Sequence, residues 1–407
     1  MKRSRILKGS LIAVLVLGVV AGAWWLTQER GDDRTRIDTP ISDPVGEVEP
    51  VLEVVTENIG QIWGIDFIPD SSQLVATVRS GSLHLIDTNT LATSEIAGVP
   101  AVSDAGQGGL LDVAVSKTFD DDNLIFLTYS VTNETGDSTT RLARAELNVN
   151  ALELNNVDVL YTAEPFLPGT NHYGSRVVHD GGYIYMTIGD RNDKNFSDHV
   201  SQDTSNALGS TIRLLTDGSI PIDNPFVNDP NALDEIYSYG HRNAQGMAIQ
   251  PNTGNIWQSE HGERDGDEIN RIVAGGNHGW PIATTGCRYG TLNEIGERPE
   301  DRDDTINPVF YWECGTGGFP PAGMAFYDAD GFVDWQGDLF VGGLASQYLA
   351  HFEVGDDGNL REKNPLLDQE GWRVRDVTVS NVDGAIYAAV EGSDINLVRI
   401  TPRPAAD

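Results

Sequence analysis

The sequence predicts an all-β chain, a six-bladed β-propeller preceded by an N-terminal signal or anchor helix. Three observations carry that prediction. A pattern of strand, Asp/Gly/Asn turn, strand, tight turn and strand recurs six times between Trp63 and Ile400, at roughly 45 to 80 residues per unit. Beyond the first 30 residues no long stretch repeats its apolar positions at helical spacing. A small sheet cannot bury both of its faces alone, so six of them must pack on one another, and radial closure does this. A sandwich with an extra β domain is the alternative that the same strands allow.

In chain order, Lys2, Arg3, Arg5 and Lys8 form a basic start, and Leu11 to Leu26 carries no charge. Ala21-Gly22-Ala23 suits a signal peptidase, whereas Trp24-Trp25 suits interfacial anchoring of a retained segment. Residues 1–26 therefore read as a signal peptide or membrane anchor. Either one exports the rest to the periplasm or another extracytoplasmic space, free or tethered to the membrane. Residues 27–50, polar and holding Pro40 and Pro44, read as a flexible linker, and 51–404 as the propeller domain.

The first repeat has Trp63–Pro69, Leu74–Val78 and Leu83–Ile86; the second has Leu110–Val115, Leu124–Tyr129 and Arg141–Glu146. Arg176–Val178, Tyr183–Ile188 and Thr211–Leu215 make the third, and Gly246–Ile249, Asn255–Trp257 and Glu268–Ile272 the fourth. The fifth is Gly323–Phe326, Asp338–Val341 and Tyr348–Phe352, and the sixth Arg375–Val379, Ala385–Ala388 and Asn396–Ile400.

Composition narrows the function. The 407 residues carry 61 Asp+Glu against 27 Lys+Arg, a formal charge of −34, which repels nucleic-acid phosphates and excludes that partner. The only cysteines, Cys287 and Cys314, have no third ligand for a zinc site and in an oxidising compartment are expected to bridge.

The polar residues that stand out lie at equivalent seams of the repeats. Gln107-Gly-Gly109 precedes the second, His172-Tyr-Gly-Ser-Arg176 opens the third, and Gly189-Asp190-Arg191 follows its second strand. Gly240-His-Arg-Asn-Ala-Gln-Gly246 opens the fourth, Ser259-Glu-His-Gly-Glu263 follows its second strand, and Arg373-Val-Arg375 opens the sixth. Closure of a propeller would bring all of these to one end of the axial channel. His172 is then a candidate base, because a neutral imidazole takes a hydroxyl proton near pH 7, and Asp190 would fix its tautomer. Arginines gathered in so acidic a chain suit an anionic ligand. Taken singly, Asp190 could cap a turn, and Arg373 and Arg375 could pair with surface acids. Their joint placement at matching seams is what points to a site.

At these residues the sequence resembles the glucose/sorbosone dehydrogenase family, in particular soluble aldose sugar dehydrogenases that use pyrroloquinoline quinone (PQQ). The resemblance runs from about Trp63 to Ile400. It is most specific at Gly106–Leu111, His172–Arg176, Ile188-Gly-Asp190, Tyr239–Gly246, Ser259–Asn270 and Gly276-Asn-His-Gly-Trp-Pro281. It implies a six-bladed fold and oxidation of the anomeric hydroxyl of an aldose to a lactone, with electrons passed on to a separate acceptor. His172 would remove the hydroxyl proton while hydride passes to PQQ, with Asp190 paired to the histidine and Arg242 and Asn243 at the quinone. Gln107 and Gln245 would line the cofactor and substrate pocket, Arg373 and Arg375 would face cofactor carboxylates, and Asp267 would lie on the substrate side. The backbone carbonyls of Gly262 and Glu263 would hold Ca²⁺, and Glu268 matches a ligand of a separate structural Ca²⁺.

The chain departs from the family pattern twice. Glu263 stands where members often have proline, and Leu344-Ala345-Ser346 stands where members that bind PQQ commonly supply a lysine. In the exported domain the lysines are Lys117, Lys194 and Lys363, none of which follows the second strand of the fifth repeat. Two other functions remain open to such a chain: a non-catalytic propeller that binds carbohydrate or protein, and a metal-dependent lactonase or hydrolase.

Overall fold

The computed structural model describes residues 50–403, so the signal or anchor segment and nearly all of the linker lie outside the described residues. The described chain is a six-bladed β-propeller in which each blade is a four-stranded antiparallel sheet. Strand β1 (Pro50–Glu57) is held back for ring closure. Blade one has β2 (Ile62–Phe67), β3 (Gln73–Val78), β4 (Ser82–Asp87) and β5 (Ala92–Ile96). Blade two has β6 (Leu110–Val115), β7 (Leu124–Thr132), β8 (Ser138–Asn148) and β9 (Glu153–Thr162). Blade three has β10 (Gly174–His179), β11 (Tyr183–Ile188), β12 (Ser210–Leu215) and β13 (Ile236–Tyr239). Blade four has β14 (Ala244–Ile249), β15 (Ile256–Glu260), β16 (Glu268–Arg271) and β17 (Phe310–Tyr311). Blade five has β18 (Pro321–Phe326), β19 (Leu339–Gly343), β20 (Leu349–Val354) and β21 (Leu360–Glu362). Blade six has β22 (Arg373–Val379), β23 (Ile386–Glu391) and β24 (Ile395–Pro402), and β1 pairs with β24 from Pro50↔Pro402 to Glu57↔Ile395. The two ends of the ring are thus closed by backbone hydrogen bonds.

The repeat has four strands rather than the three read from sequence. The outermost strand is short or half exposed, as in β21 and β9, so its apolar pattern is too weak to stand out. The core is a set of layers between neighbouring blades. Seventeen buried apolar residues, among them Val75, Leu83, Val113 and Ile125, fill the seam of blades one and two. The seam of blades three and four holds only Tyr185, Met247, Ile256 and Ile272 as buried members of its cluster.

Side-chain hydroxyls tie the inner strands together. Each inner strand has a register irregularity near its middle. In the first three blades, the backbone N–H at that point donates to a second-strand hydroxyl: Gly64 to Thr77, Asp112 to Thr128 and Arg176 to Thr187. The same hydroxyls donate onward to the next blade's carbonyl, Thr128 to Ser175 at 2.6 Å and Thr187 to Ala244 at 2.9 Å, and Ser259 does so to Ala322 at 2.8 Å. These bonds satisfy buried backbone groups that the irregular ladder would leave unpaired.

At the same level a charged cluster closes the axial channel. Arg176 Nη1 donates to Asp112 at 2.7 Å and Asp376 at 2.9 Å, and its Nε donates to the carbonyl of Gln245 at 2.8 Å. The opposing positions are glycine because a Cβ on Gly64 would lie 2.2 Å from an Asp112 carboxylate oxygen, and one on Gly323 only 1.7 Å from Asp376. Asp112 and Asp376 also accept the N–H groups of Val177 and Ile65, each at 2.8 Å, so each staples two blades. Beyond this cluster a cavity of about 470 Å³ opens at the far end of the channel, lined by the later residues of the inner strands.

Candidate active site

The near end of the channel, where the inner strands begin, gathers the polar seams. His172 precedes β10 with a left-handed φ of 51°. Its N–H donates to Gln107 Oε1 at 2.8 Å, which anchors this uncommon backbone shape. Gly189 packs against the His172 carbonyl, where an added Cβ would sit 2.2 Å away, so only glycine fits before Asp190.

His172 Nδ1 lies 2.7 Å from Asp190 Oδ1. An ionised carboxylate only accepts, so the shared proton belongs to Nδ1 and the lone pair of the imidazole is left on Nε2. Burial acts to raise Asp190, but hydrogen bonds from His172 and His199 and the nearby positive charge outweigh it and hold the group well below the usual carboxylate range. Burial dominates at His172 and pushes the imidazole below its ordinary value, against the upward pull of Asp190 and with help from Arg242 and Lys194. The pair is therefore a neutral base beside a charged acid. Two residues given no individual role from sequence complete it: Trp280 Nε1 donates to Asp190 Oδ2 at 3.0 Å, and His199 Nε2 lies 3.4 Å from that oxygen. Trp280 belongs to the Gly276–Pro281 stretch, which was the available signal.

Arg242, leading into β14, donates through Nη2 to Glu263 Oε2 at 2.7 Å and through Nη1 to the His261 carbonyl at 3.2 Å. Its guanidinium lies 5.2 Å from the Trp280 ring centre. Asn243 Oδ1 accepts from Gly174 N at 3.1 Å. Gln245 Oε1 accepts from Arg375 Nη1 at 2.8 Å. His261, buried next to Arg242 and His172, is pushed down to about 3 and donates through Nε2 to the Pro321 carbonyl at 2.6 Å.

Other expected residues are partnered differently from the sequence reading. Arg375 and Arg373 share Glu391 at 2.7 and 3.0 Å, an acid that sits directly across the β22–β23 ladder and that the sequence analysis did not single out. Asp267 uses both oxygens on backbone N–H groups, Gly262 at 3.0 Å and Phe319 at 2.7 Å, and thereby shapes the 262–267 loop; burial raises it to about 6. Glu268 is buried on β16 close to Glu260, with Asn270 Nδ2 donating to both, and burial and Glu260 drive it well above its ordinary value. The structure also brings in a lysine: Lys194 Nζ pairs with Glu263 Oε2, the oxygen that already receives Arg242. Cys287 and Cys314 are joined, and the loop they tie carries Tyr289, whose ring lies 5.8 Å from Lys194 Nζ.

This donor set fits a planar, oxygen-rich anion. Arg242 Nε and Asn243 Nδ2 are buried without a partner beside the histidine, and such orphaned donors call for an acceptor oxygen. The Gly262 and Glu263 carbonyls accept no backbone hydrogen bond among the described residues and are oxygen donors of the kind a hard cation takes. Among the described residues no cluster of three or more His, Cys, Asp or Glu side chains forms a metal site.

Fold and site together define a propeller with a buried histidine–carboxylate pair and a group of arginines at one end of its axis. The chain belongs to the Glucose / Sorbosone dehydrogenase family, which it matches over residues 59–399. It is 35% identical to the aldose sugar dehydrogenase YliI of Escherichia coli K12 over 353 residues, which is 86% of this chain and 93% of the relative. The crystal structure of the soluble E. coli aldose sugar dehydrogenase in its apo form superposes with a TM-score of 0.81 at 34% identity, covering 87% of this chain and all of the other. A more distant relative, quinoprotein glucose dehydrogenase B of Acinetobacter calcoaceticus, is 31% identical over 252 residues, 56% of this chain and 52% of its own length.

Proposed function

We propose that this chain is an exported aldose sugar dehydrogenase that oxidises the anomeric hydroxyl to a lactone with PQQ and Ca²⁺. The observation that carries the reading is the buried His172–Asp190 pair, 2.7 Å apart, set among unpaired donors at the channel end. Family membership supports the reaction class, and the quinoprotein among the relatives supports the cofactor. When bound, PQQ supplies a two-electron acceptor for the hydride. The chain's own residues do the rest. His172 Nε2 takes the anomeric proton, and Asp190 steadies the imidazolium that results. Arg242 and Asn243 offer their free N–H groups to cofactor oxygens, and the fixed donors need no reorganisation as charge develops. Arg373, Arg375, Gln107 and Gln245 bound the pocket, and the carbonyls of Gly262 and Glu263 are the candidate Ca²⁺ ligands. The disulfide, together with the basic and then apolar N-terminus, supports export to an oxidising compartment, with the leader either cleaved or kept as a tether.

The test is reconstitution of the purified protein with PQQ and Ca²⁺, followed by dye reduction with a panel of aldoses. Sugar-dependent reduction is expected. Absence of both turnover and bound PQQ would overturn the proposal, and lactone hydrolysis without PQQ would replace it with the hydrolase reading.

A further inference from the structure

We infer that Lys194 is the cation that receives a carboxylate of the bound quinone, released for that purpose from Glu263. The inference rests on the cofactor reading above. Its geometric basis is one carboxylate oxygen shared by two cations: Glu263 Oε2 takes Arg242 Nη2 at 2.7 Å and also Lys194 Nζ. One carboxylate oxygen cannot hold both cations equally, so Arg242 and Lys194 compete for Glu263. The two cations differ in freedom. The side chains of Arg242 and Glu263 are 4% and 5% exposed, whereas that of Lys194 is 45% exposed. A hydrated ammonium on a four-carbon stem re-aims at little cost, while a buried guanidinium held by two acceptors does not.

The surroundings keep Lys194 at the mouth of the site. Its Nζ lies 5.8 Å from the Tyr289 ring centre, and Arg288 lies 4.6 Å from the centre of Phe196, so the segments around 194 and 288 meet there. Cys287–Cys314 and the Arg264–Cys287 backbone pairing hold the second segment in place. The other lysines of the described residues are elsewhere: Lys117 lines the far cavity and Lys363 pairs with Asp338 of blade five. Lys194 thus supplies from blade three the positive charge that Ala345 of blade five does not carry.

The experiment is titration of apo protein with PQQ in the presence of Ca²⁺, followed by quenching of tryptophan fluorescence. Loss of one charge-assisted hydrogen bond predicts a Kd raised about 10- to 100-fold in Lys194→Ala, with Lys194→Arg within about threefold of wild type. Lys363→Ala removes the same charge far from the site and is expected to bind as wild type does. A Lys194→Ala variant that binds PQQ within twofold of wild type overturns the inference while leaving the cofactor reading intact. Failure of wild type itself to bind overturns the cofactor reading, and this inference with it.

Discussion

The seam between blades one and two and the seam between blades three and four are built from the same strand pattern but filled differently. The first packs seventeen buried apolar residues. The second has four, and adds buried polar pairs: His241 on Glu260 at 3.0 Å, Gln258 on Thr211 at 2.6 Å, and Asn243 on Gly174. Apolar packing is non-directional, whereas a buried hydrogen-bonded network fixes the positions of its members. The second seam gives up hydrophobic stabilisation to hold Arg242 and Asn243 in one place, and the remaining seams carry the fold. Substitutions in the two regions should therefore fail in different ways.

The sharpest contrast is His172→Ala. Loss of the base predicts turnover lower by about 10²- to 10⁴-fold, with only a modest fall in melting temperature, because the N–H of Asn192 and Trp280 Nε1 still donate to Asp190. Steady-state rates alongside thermal unfolding check both halves, and an unfolded variant would break the comparison. Arg176→Met is the structural counterpart on the axis. It strands Asp112 and Asp376 without their cation and should cost about 3–5 kcal/mol of stability, measured by urea unfolding. The sign of its pH dependence follows from Asp112, which burial raises to about 8 even with the arginine present. A raised carboxyl binds its proton more tightly in the folded state, so its contribution to stability is present below the unfolded value of 3.8 and is lost as pH rises toward 8. The deficit of the variant should be smallest in mild acid.

A direct test within the two seams is Ile125→Ala against Ile256→Ala. Both side chains are buried, but Ile125 is walled by aliphatic neighbours that leave a dry cavity. We expect about 3–5 kcal/mol lost at Ile125 and about 2 kcal/mol at Ile256, from the dependence of such costs on cavity size and relaxation. Equal costs would show that the polar seam is packed as tightly as the apolar one. Smaller again is Thr187→Val, which removes the acceptor for Arg176 N–H and the donor to Ala244. It should cost about 1–2 kcal/mol by denaturant titration while sparing chemistry.

The apolar side of this contrast was legible in the sequence. Short, nearly continuous apolar runs such as Leu74–Val78 and Tyr183–Ile188, bounded by turn residues, mark strands, and six such groups leave closure as the way to bury them. Fourth strands such as Phe310–Tyr311 were not legible, because two residues carry no period. The polar side was half legible. His172, Asp190 and Arg242 sit at seams and could be placed by repeat logic. Glu391 and Lys194 could not, since one is matched through ladder register and the other through a loop crossing to a neighbouring blade. Asp112 and Asp376 lie within strands that read as apolar, and only the axial geometry shows why Gly64 and Gly323 stand opposite them.

The smallest effect is a displacement rather than a loss, and it probes the polar seam without dismantling it. His172 acts only when neutral, so turnover should fall with acid as the imidazole is protonated. Burial lowers that group below its ordinary 6.5, more than Asp190 raises it. The acidic limb of kcat/KM should therefore lie below pH 6.5. Stability moves in the same direction: the unfolded chain takes up the proton first, so stability declines as pH drops from 6.5 toward the folded value. In Asp190→Asn the imidazolium loses its counter-charge, and the limb should move lower still while the plateau rate also drops. A limb at or above pH 6.5 in the wild type, or one that moves upward in Asp190→Asn, would mean that the titrating base is not this histidine and that the polar seam positions something other than the proton acceptor.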